Sequence, residues 1–154
     1  MNVKLFSDLE ERFKKTVGRI VWCSVTTTDP RGRLRSRILH PVWEGSIGWI
    51  ATGRRSPKAA HISASPWVSL SYWDQQHEQV HVECHASWED NLGEKRRVWN
   101  LFKDTPAPMG YDPSLFFKNS EDGDFGLLKL LPWRIELWSL QELMAGTRPT
   151  VWRP

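Results

Sequence analysis

Arginines at positions 31, 33, 35 and 37 recur at every second residue. On an extended strand alternate side chains share a face, so at least Arg33, Arg35 and Arg37 are expected to project the same way. Glu44-Gly45-Ser46 is a turn that sends the chain back along 47–53. A hairpin about that turn sets position 37 opposite 53 or 54, and position 35 opposite 55 or 56. The arginine row then approaches Arg54, Arg55 and the segment Ser56-Pro57-Lys58. Serine followed by proline opens a helix, with Ser56 as N-cap and Pro57 in the first helical position.

Guanidinium groups gathered in this way repel one another, and burying one without a partner is unfavourable. An anion relieves both costs. A phosphate would meet backbone N–H groups at the helix start, the Ser56 hydroxyl, the Lys58 charge and the forked donors of Arg37. The same arginines on a solvated edge strand would instead discourage aggregation. Spacing alone does not choose between the two.

His77-Glu78-Gln79-Val80-His81 fits the zinc-peptidase pattern H-E-x-x-H. That chemistry needs a helix, so that both imidazoles face one metal. Val68, Leu70 and Tyr72 alternate before the motif, and Val80, Val82 and Cys84 alternate through it, which is the period of a strand. Cys84, His81 and His85 lack an evident fourth ligand. No metal site and no catalytic acid or base is therefore assigned. His40 and His61 lie near the arginine row and read as ordinary hydrogen-bonded histidines.

Capping and periodicity give the secondary structure around these groups. Ser7 with Glu10 reads as a capping box, and Phe6, Leu9, Phe13 and Val17 share a helical face, which predicts a helix over 7–17 ended by Gly18. Strands are expected over 19–28, 33–43, 47–53, 67–73, 78–88 and 127–139. Asp29-Pro30-Arg31-Gly32 reads as a type I turn. A short helix is expected over 56–64, and a second opens at Asn91 with Glu94. Residues 105–125 read as loop with a turn at Pro113. Pro132 puts the last strand at an edge or a bulge. The tail is expected to pack on a neighbour. Six strands joined mainly by turns give a mostly β chain with flanking helices, an antiparallel barrel or sandwich in one domain over 1–154.

The chain has 154 residues, 40% hydrophobic and 25% charged, a balance that supports a buried core without disulfide staples. A net charge of +3, with acidic patches at Glu89-Asp90 and Glu121–Asp124, argues against a nucleic-acid partner. Cys23 and Cys84 read as reduced thiols. No apolar run approaches the about 20 residues needed to span a bilayer, so a cytoplasmic protein is expected. The ten tryptophans read either as core filling or, for some of them, as the lining of a flat cavity or a subunit interface, where aromatics are favoured.

Four segments resemble the pyridoxamine-phosphate-oxidase-like family of flavin-binding split barrels: RLRSRILHPVW, GWIATGRRSPKAAHISASPWVSLSYW, EQVHVEC and LPWRIELW. The resemblance implies a six-stranded antiparallel split barrel, usually a homodimer with flavin mononucleotide (FMN) at the subunit interface. Spacing sets Arg35 with Arg37 at the phosphate; carried over by motif, Arg37, Ile38 and Leu39 run beside the flavin ring and its ribityl chain. Ala51 and Thr52 touch it from the neighbouring strand. Ser56 and Lys58 hold the phosphate, and Gln79 of the other subunit faces the ring. The implied activity is that of an FMN-dependent oxidoreductase passing hydride to or from a small substrate. The tail TRPTVWRP lacks the family's Arg-x-His substrate motif, so pyridoxal formation is not implied. Relatives of this size also hold a deazaflavin or haem, or serve as non-catalytic stress proteins.

Overall fold

The computed structural model describes residues 1–154. In chain order the strands are β1 (Asn2–Val3), β2 (Cys23–Thr28), β3 (Leu34–Leu39), β4 (Val42–Glu44), β5 (Ile47–Gly53), β6 (Trp67–Trp73), β7 (Gln79–Trp88), β8 (Phe125–Trp138) and β9 (Thr150–Trp152). The helices are α1 (Glu10–Ile20), α2 (Pro57–Ala64), α3 (Leu92–Asp104) and α4 (Leu140–Met144). No helix is long and apolar enough to cross a membrane.

Alternation decides what each strand buries. In β2, Cys23, Val25 and Thr27 are buried; in β7, Val80, Val82, Cys84 and Ala86 are buried while Gln79, His81, Glu83 and His85 face outward. The strands form one sheet in the order β1-β9-β8-β7-β6-β2-β3, with β5 paired to β8 and β4 to β5. All pairings are antiparallel except β1 with β9. The sheet curls without closing, which makes it a split barrel whose six long strands are β2, β3, β5, β6, β7 and β8. The open seam lies between β3 and the β4–β5 hairpin.

The main core lies between the inner faces of the sheet and α1, which contributes Phe13 and Val17 next to Leu9. Trp43 donates from Nε1 to the Tyr72 hydroxyl at 2.9 Å inside it, so the indole's one polar atom is satisfied. A smaller cluster of Val42, Trp49, Phe125 and Leu127 packs on Val98, Trp99 and Phe102 of α3. That helix begins where the sequence places it, with Asn91 Oδ1 accepting from the Glu94 N–H at 2.9 Å. Cys23 and Cys84 are buried and free. Burial pushes the Cys23 thiol up to about 12 and the Cys84 thiol higher still.

Four expectations need correction. The first helix is α1, running from Glu10 to Ile20 rather than 7–17; Asp8 accepts from the Leu5 N–H and closes a separate 3-10 turn, Phe6–Asp8, ahead of it. Gly18 does not end α1, because the buried row Leu9, Phe13, Val17 and Val21 continues past it; Val21 ends it, at φ 68°. The expected 33–43 strand is broken at His40-Pro41, where proline supplies no N–H. Its first part, β3, pairs along its whole length with β2, so Arg37 stands opposite Val25 and not opposite 53 or 54. Only the second part, β4, makes the hairpin with β5. The tail is built into the chain's own sheet: β9 lies between β8 and β1. Pro132 sits at a bulge, as expected, where β8 carries one extra residue opposite Glu83 and Cys84.

Two glycines test this reading of the packing. A Cβ at Gly126, where β8 lies against β5, would fall 2.5 Å from the Thr52 carbonyl oxygen and 2.7 Å from the Trp88 ring. Gly126→Ala should destabilise by about 1–3 kcal/mol, the scale of overpacking. Gly18, inside α1, has nothing within 4 Å of its would-be Cβ. Gly18→Ala should stabilise by about 0.5–1 kcal/mol. Urea unfolding midpoints check both, and equal shifts would contradict the packing described.

Candidate functional site

Asp29 sets the β2–β3 hairpin. Its Oδ1 accepts from the N–H groups of Arg31 and Arg33, both at 2.9 Å, and Gly32 takes the left-handed conformation at φ 79°. These bonds hold the Asp29 carboxyl below the usual carboxylate range, the Arg33 backbone N–H contributing most. The tight turn fixes the register in which Arg35, Arg37 and Leu39 stand opposite Thr27, Val25 and Cys23. Because those β2 residues are buried, Arg35, Arg37 and Leu39 point to the inner side of the sheet, at its open seam.

Arg37 is held there by β2. Its Nη1 donates to Thr27 Oγ1 at 2.8 Å and to the Val25 carbonyl at 3.2 Å. Thr27 Oγ1 also meets His61 Nδ1 of α2 at 2.8 Å, and both residues are buried. A guanidinium can only donate, so the threonine oxygen accepts from Arg37; the hydroxyl's own hydrogen is buried with no other acceptor in reach, so it is assigned to His61 Nδ1. Burial lowers the pKa of Arg37, and the charge of Arg35 lowers it further. Lys58, in the first turn of α2, is lowered by burial and then by the charge of Arg37. The two cations therefore sit half-desolvated and oppose each other.

Ser56 is the N-cap of α2, and Pro57 occupies the first turn, as the sequence predicts. Its hydroxyl makes no capping bond; Oγ is buried and without a partner. An N-cap serine ordinarily accepts from the second or third helical N–H. Here the serine oxygen stays available beside Lys58; Pro57 has no N–H and the Ala59 N–H is taken by the Ser56 carbonyl at 2.9 Å, so the backbone N–H of Lys58 is the one left next to it.

A cleft of about 530 Å³ adjoins this cationic end. Ile38 and Leu39 of β3 and Ala51 of β5 form its near wall, and Trp22, His40, Tyr111, Phe116 and Phe117 are among the residues that form the rest. None of its lining residues is an acid, a lysine or an arginine. His40 lies between Trp22 and Tyr111, ring centroids 5.0 and 4.7 Å apart. Its Nε2 meets the Met109 carbonyl at 2.6 Å, while burial lowers its pKa. Tyr111 is pinned by its N–H to the Phe102 carbonyl at 2.9 Å. Burial raises its phenol to about 12.

The structure thus brings Arg35, Arg37 and Lys58 together, with Ser56 at the start of the Lys58 helix and Ile38, Leu39 and Ala51 on the adjoining cleft. Thr52 is buried on β5 opposite Gly126, next to Ala51. Gln79 is set apart: it lies on the outer face of β7, three strands from β3, with Oε1 at 3.2 Å from His81 Nε2. Three arginines of the expected convergence are drawn off by nearby acids. Arg33 pairs with Asp29 at 2.9 Å, Arg54 with Asp90 at 3.3 Å, and Arg55 with Asp124 at 3.4 Å. The H-E-x-x-H match has no helix. His77 is in a turn at φ 61°, and His81 is on β7 beside Ser71; no group of three His, Cys, Asp or Glu side chains is placed to hold a metal.

Sequence reasoning missed Thr27, whose role needs the β2–β3 register, and underrated His61. It also missed the aromatic wall from 108–117. A signal was present: a long connection carrying Tyr111, Phe116 and Phe117 is seldom only a linker.

The family model for pyridoxamine 5'-phosphate oxidase matches residues 9–139, and the chain belongs to that family. A search of curated proteins finds no match. Solved structures share the fold at low identity. One, from Clostridium acetobutylicum, is a protein related to general stress protein 26 of the pyridoxinephosphate oxidase family, 10% identical, with 95% of this chain and 94% of that one covered and a TM-score of 0.74. Another is a pyridoxamine 5'-phosphate oxidase-related, FMN-binding protein from Nostoc punctiforme, 17% identical, covering 86% and 84%, TM-score 0.65. A third is HutZ, the haem storage protein of Vibrio cholerae, 16% identical, covering 80% and 89%, TM-score 0.64.

The Arg37–Thr27–His61 chain makes one spectroscopic prediction. His61 should be the Nε2–H tautomer, with a bare Nδ1 visible in long-range 15N–1H correlation spectra. Thr27→Val should shift that nitrogen. A protonated Nδ1 near neutral pH would contradict the donor assignment.

Proposed function

We propose that the chain binds FMN and works as a flavin-dependent oxidoreductase on a small substrate. The observation behind this reading is the buried, unpartnered Ser56 hydroxyl at the head of the helix that carries Lys58, whose charge opposes that of Arg37. An orphaned buried hydroxyl and two opposed, half-desolvated cations are each costly. One phosphate offsets all three costs, accepting from the Ser56 hydroxyl, the Lys58 ammonium and backbone N–H, and the Arg37 fork. Arg35, on the same face of β3, adds long-range attraction. The FMN-binding Nostoc punctiforme protein of the same fold supports the choice of ligand.

With the phosphate at that end, Ile38, Leu39, Ala51 and Thr52 are the residues next along, and they would flank the ribityl chain and the flavin ring. Bound flavin supplies two-electron chemistry at its ring nitrogen; the chain supplies placement and exclusion of water. A deazaflavin would use the same apolar wall. A haem reading is favoured by one observation, the single imidazole, His40, in the apolar cleft, and by the likeness to HutZ. A visible spectrum separates the three chromophores.

The proposal includes a homodimer. Trp67, Trp73 and Trp133 stand exposed on the sheet at 57%, 55% and 43%. Gln79 and His81 share the outer face of β7 with Glu83, which Arg134 bridges at 3.2 Å. A second copy covering this face would remove those indoles from water, and Gln79 would then approach the partner's flavin. Sedimentation of the loaded protein should show a dimer; an 18 kDa particle would remove this part of the reading.

Lys58→Ala should weaken FMN binding about 10- to 150-fold, the equivalent of about 1.5–3 kcal/mol for a charged hydrogen bond. Riboflavin, which lacks the phosphate, should bind both proteins alike. Quenching of flavin fluorescence reads both affinities, and unchanged FMN affinity would take Lys58 out of the site. The pH dependence has a definite sign. Lys58 titrates below its ordinary 10.5 in the free protein, and the anion favours its charged form. FMN affinity should therefore be full below that lowered pKa and fall as pH rises through it. Lys58→Arg, which stays charged, should flatten the fall.

A further inference from the structure

Along β3 and beyond, the surface changes from charged to aromatic within a few residues. Arg35 and Arg37 mark one end; Leu39, His40 and the aromatic 108–117 segment mark the other. A flavin anchored at Arg37 and lying along Ile38, Leu39 and Ala51 meets the near wall of the cleft. The far wall belongs to Trp22, His40, Tyr111 and Phe116.

That wall has a definite chemistry. It carries no charge to receive a carboxylate or phosphate, and an ion moved there would lose its hydration without a partner. Its rings offer flat apolar faces. Trp22 and Phe116 are 58% and 72% exposed at the mouth, and rings standing side by side at a cleft favour a planar guest. His40 already has its Nε2 on the Met109 carbonyl. The Tyr111 hydroxyl has no protein partner, and burial keeps it protonated. It is a free donor in a wall whose other polar atoms are the Trp22 indole N–H, at the exposed mouth, and the His40 Nδ1, an acceptor once Nε2 is on the Met109 carbonyl; set deeper than Trp22, the hydroxyl is suited to one carbonyl oxygen.

We infer that the wall formed by Trp22, His40, Tyr111 and Phe116 binds a flat, uncharged aromatic carbonyl compound, its ring against these side chains and its oxygen on the Tyr111 hydroxyl. This rests on the flavin reading, because it places the guest beyond a ring already seated on Ile38, Leu39 and Ala51. It sets the substrate apart from phosphorylated pyridoxine compounds: they carry a charge that this wall does not meet.

The test uses FMN-loaded protein, so that the cationic end is filled. Calorimetric titration with 2-acetylnaphthalene should show one site per loaded chain while flavin fluorescence stays quenched. Its anionic counterpart, 2-naphthoate, should bind at least tenfold more weakly. Tyr111→Phe should weaken 2-acetylnaphthalene about three- to tenfold, the worth of one hydrogen bond, and leave naphthalene, which has no oxygen, unaffected. A merely structural role for Tyr111 would weaken both alike and overturn the assignment. Equal binding of 2-naphthoate, no binding of 2-acetylnaphthalene, or release of FMN as it binds would also overturn it. A protein that never takes up FMN would end the flavin reading, and this inference with it, before any probe is added.

Discussion

A guanidinium and an ammonium held close together with part of their hydration removed form an unfavourable arrangement, and the seam of this barrel is built around one. Arg37 and Lys58 are both shifted toward neutrality, mainly by burial. Nothing nearby neutralises them: the neighbouring partners are a carbonyl, a threonine hydroxyl and another arginine. Folded proteins tolerate such a cost where the rest of the structure enforces it. Here the enforcement is specific. The Asp29 turn sets the β2–β3 register, the register sets Arg37 beside Val25 and Thr27, and His61 ties Thr27 to the helix that bears Lys58.

Acids are plentiful in the chain, so the absence of a carboxylate at this seam is a matter of placement. Asp29, Asp90 and Asp124 are spent on Arg33, Arg54 and Arg55. Each of these pairs is exposed on at least one side and contributes little stability. Their larger effect is to sort the cations. Three of the arginines that spacing groups together are diverted, and the two on β3 are left with Lys58 as a local excess of positive charge.

The strand β8 joins the two halves of the site to the rest of the molecule. Its first half pairs with β5, which presents Ala51 and Thr52, and from Leu128 to Trp138 it pairs with β7. The bulge opposite Cys84 raises the local twist, so the sheet curls far enough to set β5 across the seam from β3. On the far side, α3 and the 105–117 connection close the smaller core and deliver Tyr111 and Phe116 to the cleft. A charged pole on secondary structure and an aromatic wall on a long loop are thus held by different parts of the chain.

What short-range chemistry can decide was legible in the residues alone. Alternation marked the strands, Asn91 and Ser56-Pro57 marked helix starts, Pro132 marked a bulge, and the recurring arginines with Lys58 marked a concentration of charge at one place. These signals are local, because side-chain period, capping and proline's missing N–H act within a few residues. Tertiary structure decided the rest. A strand's period says which residues share a face but not which strand lies beside it, so the pairing of β3 with β2 rather than β5 was open until the whole sheet formed. The buried row from Leu9 to Val21 carried α1 past Gly18 because packing outweighs a single residue's propensity. Ion pairs chose which arginines stay free, and the fold of the 105–117 connection put aromatic rings that lie far from β3 in sequence against Leu39 and Ala51. Each outcome depends on contacts between residues distant along the chain, whose energies no local pattern records.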